Sequence, residues 1–97
     1  MRRVVYADSF AEDADEIAIY IEARFGTDRA DQFTDQLNHF CEVIAHQPGR
    51  GKTNHGFDTQ LYGVVFGLNW IFFQFDDDQV RFVHVVGTRK HKPNVRF

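Results

Sequence analysis

A run of four basic residues near the C-terminus has the best potential for chemistry in this chain. Arg89, Lys90, His91 and Lys92 directly follow the most apolar stretch of the sequence. A cluster at the end of such a stretch would be held at one edge of a sheet, where cations can orient an acidic or phosphate-bearing partner. The alternative interpretation is an ordinary solvated tail. We take Arg89, Lys90 and Lys92 as candidate target-binding residues.

A second basic stretch lies in the loop PGRGK at 48–52. Its glycines and lysine resemble a phosphate-binding loop, but the stretch follows a helical pattern and lacks the full spacing of that motif. We therefore do not interpret it as a nucleotide site. As a basic loop that contacts a phosphate or a carboxylate, it adds Arg50 and Lys52 to the candidate target-binding residues.

Three other features could carry chemistry, and for each we prefer a structural interpretation. His84 lies on a predicted strand without a second His or Cys at metal-ligand spacing, which favours a packed, hydrogen-bonded histidine over a general base or ligand. Cys41 lies in an apolar helix stripe and is interpreted as a small core residue. The acidic run 76–78 is interpreted as a solvated turn instead of a cation site. We expect no catalytic residue, no metal site and no cofactor.

The stretch 69–88 is predicted to form one β-hairpin. This hairpin would position His84, the acidic run 76–78 and the basic cluster that directly follows it. Two runs rich in Ile, Phe, Trp and Val flank the acidic turn. The predicted register pairs Phe75 with Val80, Gln74 with Arg81, Phe73 with Phe82, Phe72 with Val83, Ile71 with His84 and Trp70 with Val85. Both faces of the hairpin are apolar except near its tip, so both faces need to be covered.

Two amphipathic helices are predicted before the hairpin. Ser9 and Glu12 fit a capping box at the start of the first helix, and Gly26 ends it. Its apolar stripe comprises Phe10, Ala14, Ile17, Ile21 and Phe25. Thr27 or Asp28 is expected to cap the second helix. The stripe of that helix comprises Ala30, Phe33, Leu37, Phe40, Cys41 and Ile44. Helices joined this tightly form an antiparallel pair.

The predicted order of elements is β-α-α-β-β-β, an α+β fold with the helical hairpin packed on one face of a small antiparallel sheet. The N-terminal strand, within 3–7, is expected at an edge, beside the last strand and antiparallel to it. The second strand is expected within 57–66. The helices leave one apolar sheet face open, which predicts a partner surface. That face carries either Trp70, Phe72, Val83 and Val85 or the set containing Phe73 and Phe82.

Composition favours one cytoplasmic domain spanning 1–97. The chain has 97 residues, of which 43% are hydrophobic and 15% aromatic. One cysteine excludes an internal disulfide, and no run approaches the roughly 18 apolar residues of a membrane span. The N-terminus has no apolar signal region. We expect no membrane association.

The charge distribution is uneven. Residues 1–47 carry four Arg and ten acidic residues, a net charge of −6, whereas residues 48–97 have a net charge of +3. An acidic body with a basic end does not favour general nucleic-acid binding, which typically needs a basic chain.

The order of elements resembles the ParE and RelE superfamily of toxins from bacterial toxin–antitoxin pairs, over about residues 4–90. The resemblance rests on Ala14, Ile17, Tyr20-Ile21, Phe25-Gly26, Ala30, Phe33, Leu37, Pro48-Gly49, Ile71-Phe72-Phe73, Asp76-Asp77-Asp78 and the strand from Val80 to Arg89. Members commonly have a tyrosine at the positions of Asn69 and Phe73. They also have a histidine and a glycine before the arginine that matches Arg89, where this chain has Gly87 and Thr88. A role of that histidine therefore does not transfer.

The superfamily includes two activities. Cleavage of mRNA by a ribose hydroxyl needs a base, an acid and cations that stabilise the developing charge. This chain has scattered histidines, no tyrosine near its C-terminus and an acidic net charge, whereas RelE-like members are usually strongly basic. These features favour the ParE-like branch, for which the resemblance implies inhibition of DNA gyrase by binding. The alternatives are a ribosome-dependent mRNA endonuclease of the RelE type and a non-toxic binding module.

Both toxin alternatives imply a cognate antitoxin that folds on the toxin surface in a hetero-oligomer. For ParE-like members the resemblance implies a ribbon-helix-helix DNA-binding protein of the ParD type with an extended C-terminal segment. The open sheet face predicted above would bind this segment. The predicted antitoxin-binding residues are therefore Trp70, Phe72, Val83 and Val85.

Overall fold

Two helices and five strands make up the structure, a computed structural model that describes residues 2–48, 52–53 and 61–87. The elements are β1 (Arg3–Tyr6), α1 (Asp8–Phe25), α2 (Thr27–His46), β2 (Lys52–Thr53), β3 (Tyr62–Phe66), β4 (Asn69–Phe75) and β5 (Gln79–Gly87). The strands form one sheet in the order β1-β5-β4-β3-β2. The predicted α+β class with a helical hairpin is confirmed.

The sheet is mixed, because β1 pairs with β5 in parallel. The predicted antiparallel arrangement of these two strands is wrong, although the edge position of β1 beside the last strand is confirmed. The prediction allowed one strand between the second helix and the central hairpin. The chain instead forms the short strand β2 as well, and β2 pairs antiparallel with β3. This additional reversal inverts the directions of β3, β4 and β5 relative to β1.

The central hairpin forms around the predicted acidic turn. One carboxylate oxygen of Asp76 accepts hydrogen bonds from the backbone N–H groups of Asp78 and Gln79, at 2.8 and 2.9 Å. Such side-chain bonds to the backbone are the reason that aspartate favours turns. Because the two bonds stabilise the carboxylate, they lower the pKa of Asp76.

The predicted register is correct only in the half of the hairpin near the turn. A β-bulge shifts the pairing between Phe73 and Phe72. Phe73 still faces Phe82, but Val83 has no partner on β4. The predicted pairs of Ile71 with His84, Phe72 with Val83 and Trp70 with Val85 are wrong. Beyond the bulge, Phe72 faces His84, Ile71 faces Val85 and Trp70 faces Val86. An extra residue in one strand moves every later partner by one position.

The helices cover the sheet face that carries Phe73 and Phe82, and both of these side chains are 0% exposed. The buried core between this face and the helices comprises Phe10, Leu37, Cys41, Ile44, Ala45, Ile71, Phe73, Val80, Phe82 and Val85. Cys41 is confirmed as a core residue. Burial raises the pKa of its thiol to about 12, with a smaller opposing effect from a hydrogen bond with Tyr6.

The helix ends differ from the predicted caps. Ala7 is the N-cap of α1, and the predicted capping box of Ser9 and Glu12 is wrong because α1 begins at Asp8. Gly26 ends α1 as predicted, but it also precedes α2 directly, so neither Thr27 nor Asp28 is a cap. Its φ of +96° lies in a region that L side chains rarely adopt, which explains the glycine.

The far end of the helical hairpin extends beyond the core. Phe25, predicted as part of the apolar stripe of α1, is 59% exposed, and the guanidinium of Arg29 lies 5.4 Å from the centre of its ring. The helical period was correct for Phe10, Ala14 and Ile17, which pack in or against the core. Periodicity predicts which residues share a helix face, but it does not predict how far the sheet extends beneath that face.

Candidate functional site

The sheet face away from the helices exposes only part of the apolar set that the sequence predicted. Val85 belongs to the helix-covered core, because the bulge changes its position relative to Trp70. Phe72 does lie on the far face, but it is only 1% exposed. Its ring approaches Gly63, where an added Cβ would lie 3.1 Å away, and stacks on Trp70. Only Trp70 and Val83 of the four predicted residues are partly exposed.

An apolar groove opens instead on the helix-covered face, between α2 and β3. Helix α2 packs mainly on α1, and among the strands its backbone lies closest to β1 and β5, on the side of the sheet remote from β3. Two adjoining cavities of about 400 Å³ each lie along the helix and share Phe40. We call this surface the α2–β3 groove. Its apolar lining comprises Phe40, Val43, Ile44, Val64, Phe66 and Phe73.

The α2–β3 groove has the dimensions of a binding site for a peptide segment. Its lining runs from Asp35 of α2 to Gln47, the residue that caps the helix, which corresponds to about 18 Å at 1.5 Å per residue. Val43 is 51% exposed, and the rings of Phe40 and Phe66 lie 5.0 Å apart. A long apolar groove with a polar rim fits the apolar face of an amphipathic segment.

A second feature lies where α1 passes the part of β5 that extends beyond its pairing with β1. The consecutive carbonyl groups of Phe82 and Val83 accept hydrogen bonds from Ala7 N–H at 2.9 Å and from Ser9 Oγ at 2.6 Å. In a regular strand neighbouring carbonyls point to opposite edges, so this arrangement requires the bulge. The sequence predicted that the Ser9 hydroxyl caps the helix. It instead donates its hydrogen bond to β5.

One turn further along α1, Asp13 completes the contact with β5. Its Oδ2 atom lies 2.8 Å from Nδ1 of His84 and accepts the backbone N–H of Val85 at 3.3 Å. We call Ser9, Asp13 and their partners on β5 the bulge clamp. The interpretation of His84 as a packed, hydrogen-bonded histidine is confirmed. Sequence reasoning missed Asp13, since it lies 71 residues from His84 and the contact depends on how α1 packs against β5.

The bulge clamp holds the second half of β5, which leads into the basic cluster. Replacing Asp13 by alanine is expected to destabilise the fold by about 1–3 kcal/mol, because the Val85 N–H and His84 lose a partly buried acceptor. Urea unfolding, followed by the fluorescence of Trp70, measures this change.

Glu12, an exposed neighbour on the same turn, provides the matched control. Its replacement by alanine is expected to change stability by no more than about 0.5 kcal/mol. Equal effects of the two variants would contradict the stabilising role of the clamp.

Five residues were predicted to bind the target. Arg50, Arg89, Lys90 and Lys92 lie outside the described residues, and for Lys52 only its backbone position in β2 is described. Among the described residues, no group of three or more His, Cys, Asp and Glu side chains is arranged to hold a metal ion. Neither α1 nor α2 has a stretch apolar enough to cross a membrane.

Comparison with known proteins identifies similar chains. Residues 4–92 match the family model described as "ParE toxin of type II toxin-antitoxin system, parDE". Among solved structures, the chain is similar to one from the "Chromosomal ParDE TA system from P. aeruginosa", with a TM-score of 0.74 and 10% sequence identity. The similar region covers 90% of this chain and 96% of that chain, and at this identity the likeness concerns the fold. No curated protein matches.

Proposed function

We propose that this chain, which belongs to the ParE toxin family of type II toxin–antitoxin systems, arrests growth by binding DNA gyrase and is neutralised by a ParD-like antitoxin. The observation that carries the proposal is the family match over residues 4–92, together with an apolar groove that fits a peptide partner. The toxin acts in the cytoplasm, which agrees with the composition of the sequence.

The α2–β3 groove supports an antitoxin segment as its ligand. An amphipathic segment would place apolar side chains over Phe40, Val43 and Val64 and leave its polar face in solvent. Asp35 lies on the rim of the groove beside Gln36 and His39. A Lys or Arg of the antitoxin segment beside its apolar anchors would complement Asp35.

The hydrogen bonds of Asp13 and His84 favour inhibition by binding over RNA cleavage. Asp13 and His84 form a carboxylate–histidine pair of the kind that can orient a general base. In this chain the same carboxylate oxygen also accepts the N–H of Val85, and the pair belongs to the bulge clamp. The pair therefore has a structural explanation, and the acidic net charge of −3 disfavours ribosomal RNA as a target.

Two assays on the purified protein test the proposed target. We expect it to inhibit gyrase-catalysed supercoiling of plasmid DNA and to leave both free and ribosome-bound mRNA intact. Added antitoxin should restore supercoiling. Induction in growing bacteria, with plasmid supercoiling and transcript integrity as parallel readouts, extends the same test to cells.

Each alternative function predicts a different result. Cleavage of ribosome-bound mRNA that is lost on His84→Ala or His91→Ala would identify a RelE-like nuclease and overturn the gyrase proposal. Unimpaired growth, with neither supercoiling nor mRNA affected, would identify a non-toxic binding module.

A further inference from the structure

Three large apolar side chains are exposed near the C-terminal end of α1. Ile19, Tyr20 and Phe25 are 68%, 56% and 59% exposed, respectively, within one stretch of seven residues of α1. Ile19 and Tyr20 are neighbours on α1 and form an exposed apolar pair. Phe25, in contrast, lies on another side of the helix, where the guanidinium of Arg29 lies over its ring. The stretch shares no residue with the α2–β3 groove or the bulge clamp, so neither of those surfaces explains it.

Three exposed residues in this region form a row along α1. Glu16, Tyr20 and Arg24 follow one another at intervals of four residues and therefore lie on the same side of the helix. The guanidinium of Arg24 lies 4.9 Å from the centre of the Tyr20 ring. The row thus presents an acid, an aromatic ring and a cation, in that order along the helix.

We propose that this row is the contact surface of a homodimer in which two α1 helices pack antiparallel around a two-fold axis. In an isologous contact the same patch on both subunits must be complementary to itself. Reversing the row sets the Tyr20 rings of the two copies against each other. It also sets Arg24 of each copy against Glu16 of the other. Ile19, next to Tyr20, extends the apolar centre.

The charge of the helical hairpin favours antiparallel packing of the two α1 helices over other contacts between two copies. Residues 8–46 carry ten Asp and Glu but only two basic residues other than histidine, Arg24 and Arg29. Two such hairpins repel each other unless these arginines face acidic residues of the other copy. Parallel packing would oppose Glu16 with Glu16 and Arg24 with Arg24, whereas antiparallel packing pairs opposite charges.

The dimer is weak, since a row of three residues and Ile19 is far smaller than the roughly 800 Å² per partner of a standard interface. We therefore expect the dimer to form only at high protein concentration. The proposed contact uses no residue that lines the α2–β3 groove. Two toxin molecules would thus present two antitoxin grooves in one particle.

Sedimentation equilibrium of the purified chain over a wide concentration range tests the proposal without antitoxin or gyrase. We expect the average mass to rise from monomer towards dimer. Each single reversal, Glu16→Arg or Arg24→Glu, should weaken association by about 10-fold or more, because it opposes like charges. The double variant Glu16→Arg/Arg24→Glu should restore association, since its row is again complementary to itself.

Circular dichroism of each variant shows whether it is folded, and the double variant provides a check that does not depend on the single ones. A wild-type chain that remains monomeric at the highest concentration overturns the proposal. So does association that persists in Tyr20→Glu or in the folded single reversals, because the contact then lies elsewhere. Failure of the folded double variant to associate also overturns the proposed antiparallel pairing.

Discussion

Replacing Val43 by aspartate is expected to abolish neutralisation by the antitoxin while leaving the toxin folded and active. Val43 lines the α2–β3 groove and is 51% exposed, so the substitution places a charge where an apolar anchor would dock. A central residue of an apolar interface contributes about 2 kcal/mol or more, equivalent to roughly a 30-fold loss of affinity. Calorimetric titration with the antitoxin measures this loss, and cells that co-express both proteins should stop growing.

Val65 offers a matched control, since it is the same residue type and is 50% exposed. It lies opposite Trp70 in the β3–β4 ladder and therefore on the far face of the sheet. Val65→Asp is expected to retain antitoxin affinity. If Val65→Asp abolishes binding and Val43→Asp does not, the antitoxin docks beside Trp70 on the face that the sequence predicted, and the groove proposal is wrong.

Replacing Arg89 and Lys90 together by alanine is expected to remove most of the toxicity without reducing antitoxin affinity. Exposed cations contribute mainly to encounter and orientation on an acidic or DNA-bound partner, and rarely more than about 1 kcal/mol each to stability. The concentration needed to inhibit gyrase should therefore rise by about 10-fold or more, while thermal stability stays nearly unchanged. Supercoiling assays and calorimetric titration with the antitoxin separate the two effects.

A variant with the same loss of charge tests whether position or net charge matters. Arg3 and Arg81 are both exposed, and their joint replacement by alanine is expected to leave inhibition almost unchanged. Equal loss of inhibition in both double variants would indicate a general electrostatic effect and contradict a specific basic site. If the Arg89 and Lys90 variant keeps full toxicity but no longer binds antitoxin, then the basic cluster binds the antitoxin and not the target.

Features that depend on neighbours in the sequence were predictable. The period of the apolar residues in α2 correctly placed Leu37, Cys41 and Ile44 in the core, and Gly26 correctly marked the end of α1. The turn at Asp76 was also predictable, since its side chain bonds to backbone groups two and three residues away. Each of these features follows from local geometry, so no distant part of the chain is needed to specify it.

Features that depend on distant contacts were not predictable. The bulge at Val83 is stabilised by Ser9 and Asp13, which lie more than 70 residues away in the chain. The direction of β1 relative to β5 depended on the two-residue strand β2, which is too short to show a period. The position of the α2–β3 groove depended on where α2 crosses the sheet, which the helix sequence does not specify.

The sequence by itself determined the α+β class, the helical hairpin, the acidic turn and the resemblance to a toxin family, because the period of apolar residues and the turn residues are local signals. Only the tertiary structure decided which apolar surface remains open. A one-residue bulge moved Val85 into the core, Phe72 was buried beside Gly63, and α2 left Val64 and Phe66 at the edge of a groove. Side chains in a strand alternate between faces, so a single extra residue reassigns every later residue to the other face.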